Sequence, residues 1–420
     1  MNSSCIGTTA PWVWFKSLQD MPALVAPGDA WTLWAIILAG VAASIYLEQT
    51  YRWAAKMSGP VLALVAAMVL SNLKITPTAS PTYDVVHDYL VPIAIPLLLM
   101  RADVRRIVRT SGTMFAAFHL SALGTLLGAL LAAWLFRGVF EHLAEVTGIM
   151  TASYTGGGVN FFAVKGSFQV SEDLTNPLLV ADNFIMAGIF GLLLVLAGTR
   201  LLLRLYPHPH SLETNTENGR SLAAEHWRPK QISLLDIAKC LAFAVVVSAV
   251  SHKLAAAIAA TSLPPLARAV VGNQYVLITL LSVTAATLLH RRIEKIGGSE
   301  ELGAYLLYTF FFVIGLPADL VAVMTKVPMM FVFCLVIALV NLTVTLLLGK
   351  LLRLNLEELL VCVNATLGGP PSAAAMAITK GWSKLVLPAL LVGIWGYVIG
   401  TFLGVLVGET LRLWMTGGGT

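Results

Sequence analysis

Two stretches of this chain place glycine, hydroxyl and amide residues inside otherwise apolar runs. The first is Thr151-Ala152-Ser153-Tyr154-Thr155-Gly156-Gly157-Gly158, with Asn160 just beyond it. The second is Asn364-Ala365-Thr366-Leu367-Gly368-Gly369-Pro370-Pro371-Ser372. Glycine lets a backbone leave helical geometry cheaply, and proline removes a helix donor. In hydrocarbon an unpaired backbone group costs several kcal/mol, so a helix unwinds there only where protein or a water-filled cavity satisfies it. Each stretch is therefore a candidate binding site. Unwound carbonyls can hold a cation such as Na⁺, while the N-terminal ends of half-helices present partial positive charge to an anionic group. The competing reading is a pair of kinks that relieve packing.

Asp182 and Asn183 follow, a carboxylate and an amide flanked by Leu178, Leu179, Val180, Ala181, Phe184 and Ile185. An acid in such surroundings is expensive and is a functional candidate by default. It can bind a cation or exchange a proton, with Asn183 as a neutral second ligand; otherwise it bonds a loop at the interface. Asp103 and Asp319 end their helices beside Arg101, Arg105 and Arg106 or Lys326, which favours structural ion pairs. His119 is expected to bond a neighbouring helix, the alternative being proton relay. Lys165 and Lys380 come after the two breaks and either snorkel to the interface or attract an anionic solute.

The elements that must hold these residues are apolar and long. Hydrophobic residues make up 57% of the 420 and charged ones only 12%, where a water-soluble domain carries roughly a quarter charged. Apolar segments fall at about 31–48, 58–72, 85–103, 112–136, 143–168, 177–205, 233–259, 274–290, 302–323, 328–351, 357–380 and 385–414. The expectation is an all-α polytopic membrane protein with about 12 transmembrane segments. Met1 to Ala30 lacks the basic start of a secretory signal and contains Pro11, Pro22 and Pro27, so residues 1–30 are expected to form an extramembrane tail. The polar stretch 206–232, with His208, Glu213 and Arg220, separates a first half, 31–205, from a second, 233–415.

The halves echo each other. Pro96-Leu97-Leu98-Leu99-Met100-Arg101-Ala102-Asp103 parallels Phe312-Val313-Ile314-Gly315-Leu316-Pro317-Ala318-Asp319, and about fifty residues later the glycine-rich stretches answer one another. Two matches in the same order predict two structural repeats carrying two broken, crossing helices. Chance likeness of glycine-rich helices is the alternative. The arginine groups do not settle the orientation. Arg101, Arg105, Arg106 and Arg109 call for the same side as Arg200, Arg204, Arg228 and Lys230, yet three segments separate them.

Several functions are disfavoured. The net charge of +5 is distributed in short groups between apolar stretches, so nucleic acid is not an expected partner. Cys5, Cys240, Cys334 and Cys362 lie too far apart for a disulfide framework or metal site. No Walker loop, dinucleotide fingerprint or His-Glu-x-x-His motif occurs, so no enzyme activity, cofactor or ATP drive is expected.

The run from Ile95 to Arg109, the glycine triplet ending Gly158-Val159-Asn160-Phe161, and Ala181-Asp182-Asn183 together resemble the YjcL-type family of integral membrane proteins of unknown function, over about 30–415. At longer range, Tyr154 to Asn160 followed by Lys165-Gly166 is similar to the Pro-Gly-Gly-x-x-Ser-Asn segment of bile-acid:sodium symporters. Here Thr155 stands for the proline and the spacing is shorter. Asp182-Asn183 is similar, in reversed order, to the acidic pair of cation:proton antiporters. Carried over, these resemblances imply Na⁺ or a proton at Thr155, Asn160 and Asp182, with the second broken segment completing the cradle.

The first expectation is an ion-coupled symporter, using Na⁺ or H⁺, for a small and anionic organic solute. A monovalent cation:proton antiporter centred on Asp182 is the runner-up, and a non-transporting membrane scaffold or receptor the third. Expected partners are the solute, a monovalent cation and the lipid bilayer, with a homodimer as an option. The expected location is the plasma membrane, the inner membrane of a bacterium.

Overall fold

The computed structural model describes residues 22–51, 54, 59–212, 231–317 and 320–415. The start of the tail with Cys5, most of the polar linker, and Asp319 lie outside the described residues. Every regular element among the described residues is helical. All twelve apolar segments contain helix, but length divides them. Among the described residues eight helices are long and apolar enough to cross a membrane, or up to nine if one bent pair is counted as a span. These eight are α1 (Ala30–Thr50), α3 (Pro81–Leu99), α5 (Thr113–Leu135), α8 (Glu172–Leu196), α10 (Leu234–Ala259), α14 (Leu320–Leu351), α15 (Leu356–Thr379) and α16 (Ser383–Met415); within α14 the apolar stretch begins at Pro328, and within α16 at Lys384.

The remaining segments fall short of the expected twelve for local reasons. α2 (Gly59–Asn72) has 14 residues, α13 (Ser299–Gly315) has 17, and α9 (Arg200–Leu205), which follows α8, has 6. The segment expected at 143–168 is split into α6 (Leu143–Gly156) and α7 (Gly158–Phe168). Asn273 caps α12 (Gln274–Leu288) by accepting from Tyr275 and Val276 N–H groups, turning it 52° away from α11 (Pro265–Val271). A span needs roughly 20 apolar residues at 1.5 Å each.

The chain divides into two compact units. The smaller holds α1, α2, the start of α3, residues 172–177 of α8 and the end of α13. Within it Gly40 of α1 receives the Phe312 ring and Gly315 of α13 lies on the Leu64 carbonyl of α2, so that glycines set the approach of the helices. Glu48 accepts a hydrogen bond from Tyr308, and Asn176 donates to the Ile314 carbonyl at 3.0 Å.

The larger unit contains both glycine-rich stretches. Burial tells its helices apart. In α6 every residue except Glu145 is buried, the signature of a helix enclosed by protein on all sides. In α10 only Cys240, Ala244, Val247 and Ser251 are buried, a single stripe, and the apolar remainder faces outward. Leu97, Met100, Cys240, Ala244 and Ile293 form a core joining α3 and α10. Along α16, Gly393, Gly396, Gly400, Gly404 and Gly408 recur every three or four residues and lie against α6, α7 and α15. A Cβ on Gly404 would stand 2.6 Å from the Gly148 carbonyl oxygen, so the stripe brings backbones together without side chains between them.

Candidate functional site

The glycine triplet breaks its helix at one residue. Gly157 has φ 89° and ψ −173°, and α6 ends and α7 begins on either side of it. In α15 the break falls at Gly369, with φ 76° and ψ −170°. A positive φ with extended ψ is essentially restricted to glycine. The two breaks touch. A Cβ on Gly157 would lie 3.3 Å from the Gly369 nitrogen, and one on Gly369 would lie 3.3 Å from the Gly156 carbonyl oxygen and 3.4 Å from the Tyr397 hydroxyl of α16. The two breaks expected from the sequence thus lie in contact, at Gly157 and Gly369.

The two half-helices leaving the crossing differ in their donors. α7 starts with Gly158 and Val159, whose N–H groups precede the first turn, while Asn160 N–H already returns to the Gly157 carbonyl at 3.0 Å. The second half of α15 starts with Pro370 and Pro371, which have no N–H. Proline suits the first helical turn and stiffens that start, but the first two positions of this half-helix add no backbone donor for an anion, whereas the first two of α7 do.

Asp182 stands beside this crossing. It is 6% exposed and accepts a hydrogen bond from the Ser153 hydroxyl at 2.7 Å. The fully buried Tyr154 hydroxyl has no hydrogen-bond partner of good geometry, although Asp182 and the Cys334 thiol of α14 lie within electrostatic reach of it. Among the described residues no Lys, Arg or His forms an ion pair with Asp182. A carboxyl set so deep and without a cationic side chain can be neutralised by a proton or a metal cation.

The other expected site residues divide into those turned towards the crossing and those committed to their own helices. Thr155 donates to the Thr151 carbonyl and Thr151 to the Thr147 carbonyl, each at 2.7 Å, so this threonine ladder bonds back one turn along α6. Asn160 donates to the Gly396 carbonyl at 2.9 Å and accepts from Thr401 at 3.3 Å, both on α16. Asp182 therefore meets Ser153, while Thr155 and Asn160 make other bonds. Asn183 donates to the Leu179 carbonyl of its own helix at 2.8 Å. Asn364 reaches over the second break to the Ser372 carbonyl at 2.8 Å, and Ser372 donates to the Gly369 carbonyl at 3.0 Å. Gly368 packs towards Ser372 and the Met186 sulfur of α8.

Thr366 belongs to a junction that the sequence reading missed. Its hydroxyl meets Ser121 of α5 at 2.8 Å and accepts from Asn341 of α14 at 3.2 Å. The Asn341 amide also donates to Thr125 at 2.7 Å and to the Ser121 carbonyl at 3.0 Å, while Thr125 donates to the Tyr154 carbonyl. All four side chains are fully buried. Four helices are tied together here at the flank of both breaks. Two signals pointed to it: Asn341 is the one carboxamide in the apolar run 328–351, and Ser121 and Thr125 are one turn apart in α5.

The outlying candidates have structural partners. His119 receives the Trp395 indole N–H at Nε2, 3.2 Å away, so its Nδ1 proton donates to the Phe115 carbonyl at 2.7 Å and the ring is a neutral bridge between helices. Asp103 caps α4 (Val104–Ser111) by accepting from the Arg105 N–H, while Arg101 and Arg106 pair instead with Glu300 and Glu294. Lys165 is 5% exposed and therefore enclosed by protein. Lys380, by contrast, is half-buried at the end of α15. Cys240, Cys334 and Cys362 are buried free thiols, and no His/Cys/Asp/Glu group with metal-binding geometry occurs among the described residues.

The chain belongs to the family described as Protein of unknown function (DUF819), whose model matches residues 35–414. It is 42% identical over 390 residues to the "Uncharacterized membrane protein YjcL" of Bacillus subtilis (strain 168), covering 93% of this chain and 98% of that relative. It is a multi-pass membrane protein.

Proposed function

We propose that the protein is a secondary active transporter in which the two broken helices form a solute and ion site, built on two structural repeats of about six segments each. One observation carries this reading: the breaks at Gly157 and Gly369 share a glycine-only backbone conformation, lie in contact, and neighbour a buried carboxyl with no cationic side chain paired to it. Kinks that merely relieved packing would have no need to meet or to match, whereas crossed half-helices place dipole ends and free backbone groups at one point inside the membrane. The solute is a small organic anion, held by the N–H groups that open α7. A coupling ion, Na⁺ or H⁺, is held at Asp182, and the cell membrane is the site of action. The runner-up is a monovalent cation:proton antiporter, favoured by the Ser153–Asp182 bond, since a hydroxyl-bonded buried carboxyl can exchange a cation for a proton without any solute.

A thermal-stability screen of the detergent-solubilised protein tests this. Na⁺, K⁺, Li⁺ and pH are scanned alone and then with a panel of small organic anions. A ligand at 100 times its dissociation constant adds roughly 2.7 kcal/mol. Stabilisation by an organic anion that grows with Na⁺ or with protons supports symport. Stabilisation by a cation alone, in competition with protons, supports the antiporter. Asp182→Asn is expected to abolish the ion response in both cases. An ion response that survives it removes Asp182 from the site, and no response to any ion or anion leaves the scaffold reading standing.

A further inference from the structure

Far from the crossing, the ends of α5 and α16 enclose an apolar groove of about 190 Å³ lined by Leu130, Trp134, Leu143, Leu411 and Met415. Its outer wall, with Leu130, Trp134 and Trp414, is exposed, and both helices end within a few residues of it, at Leu135 and Met415. Tryptophans at the ends of spanning helices mark the headgroup level of a bilayer, where an apolar body meets a polar boundary. At the mouth, the Arg137 guanidinium lies 4.8 Å above the Trp414 ring. Glu141, four residues on, does not pair with it, and Arg137 makes no ion pair among the described residues. The nearby Arg412, in contrast, is held by Glu145 and Glu409 at 3.0 and 3.3 Å.

We propose that this groove is a binding site for an anionic phospholipid, with an acyl chain against Leu130 and Leu143 and the headgroup phosphate on Arg137. The charge pattern selects that occupant. An apolar floor accepts any acyl chain, but one uncompensated cation at headgroup depth favours a net negative lipid over a zwitterionic one. Guanidinium suits phosphate, because its fork of donors bonds two oxygens while its face keeps the indole contact. The stem of Arg137 stays at the interface in the manner of snorkelling residues, and its head bends over the groove.

The test uses the full-length protein in neutral detergent. Its unfolding temperature is measured with phosphatidylglycerol or phosphatidylcholine added in mixed micelles, and with inorganic phosphate alone. Phosphatidylglycerol is expected to raise the unfolding temperature above the value in phosphatidylcholine. That excess is lost in Arg137→Gln, reduced but not abolished in Arg137→Lys, which keeps the charge and loses the fork, and lost in Leu130→Trp, which fills the groove and leaves the charge in place. An excess that persists in Arg137→Gln overturns the proposal, as does an equal shift from inorganic phosphate, which would mark a simple anion site. If Arg137→Gln fails to fold, Leu130→Trp decides: an undiminished excess there overturns the acyl groove. Cross-linking of two copies through Trp134 and Trp414 in phosphatidylglycerol would likewise overturn it by assigning this face to a dimer.

Discussion

Replacing Gly157 by alanine tests the crossing itself. The residue has φ 89° and ψ −173°, a region whose occupation by a residue with a Cβ costs about 1–3 kcal/mol. The added methyl would also stand 3.3 Å from the Gly369 nitrogen and 3.4 Å from its Cα. Both are backbone atoms in a packed helix, so the neighbours cannot simply rotate away, and forcing a methylene into such a place costs about 1–3 kcal/mol more. The sum is a destabilisation of about 2–6 kcal/mol. Gly191→Ala on α8 is the control, because no atom lies within 4 Å of its Cβ position. There alanine gains up to about 1 kcal/mol of helix propensity. Equilibrium unfolding in detergent, followed by circular dichroism, compares the two variants with the parent. The double variant Gly157→Ala with Gly369→Ala should cost measurably less than the sum of the singles, since either methyl alone pries the same contact apart. A Gly157→Ala protein as stable as Gly191→Ala, or additivity within about 0.5 kcal/mol, would refute the crossing at these residues.

Two further outcomes follow from the same packing. Asn341→Leu strips Ser121, Thr125 and Thr366 of their amide partner; a loss of about 1–3 kcal/mol is expected, against less than about 0.5 kcal/mol for Thr343→Val on the exposed side of the same helix. Equal effects in the unfolding assay would deny the junction its role. Gly396→Ala would put a methyl 2.7 Å from the Thr155 carbonyl oxygen and 2.9 Å from the Gly156 Cα, so α16 must withdraw from α6. A lowered unfolding temperature together with a weakened ion response is expected, and a normal ion response would separate the glycine stripe from the site.

Much of this molecule was legible as a string of residues. Apolar runs produce helices wherever they occur, because in a bilayer each backbone group must bond within its own segment; all twelve runs are helical for that reason. The two breaks were legible because glycine triplets and paired prolines act through local backbone geometry, and Asp182 because a charge among leucines is conspicuous. The number of full spans was not, since it turned on where a helix stops: one glycine divides 143–168 and Asn273 turns the chain between α11 and α12. Bonding partners were not legible either. Thr155 and Asn160 have the right chemistry for a cation, yet one bonds back along α6 and the other across 236 residues to Gly396. Asp182 finds Ser153, and Asn341 finds Ser121 across 220 residues. A side chain's type says what it can bond, but its partner is whatever atom the packed helices bring within about 3 Å. The order of residues by itself thus determined a helical membrane protein with two unwound points and a buried acid, and only the tertiary structure decided that the two points meet, because backbones approach that closely only where glycines on several helices fall opposite one another.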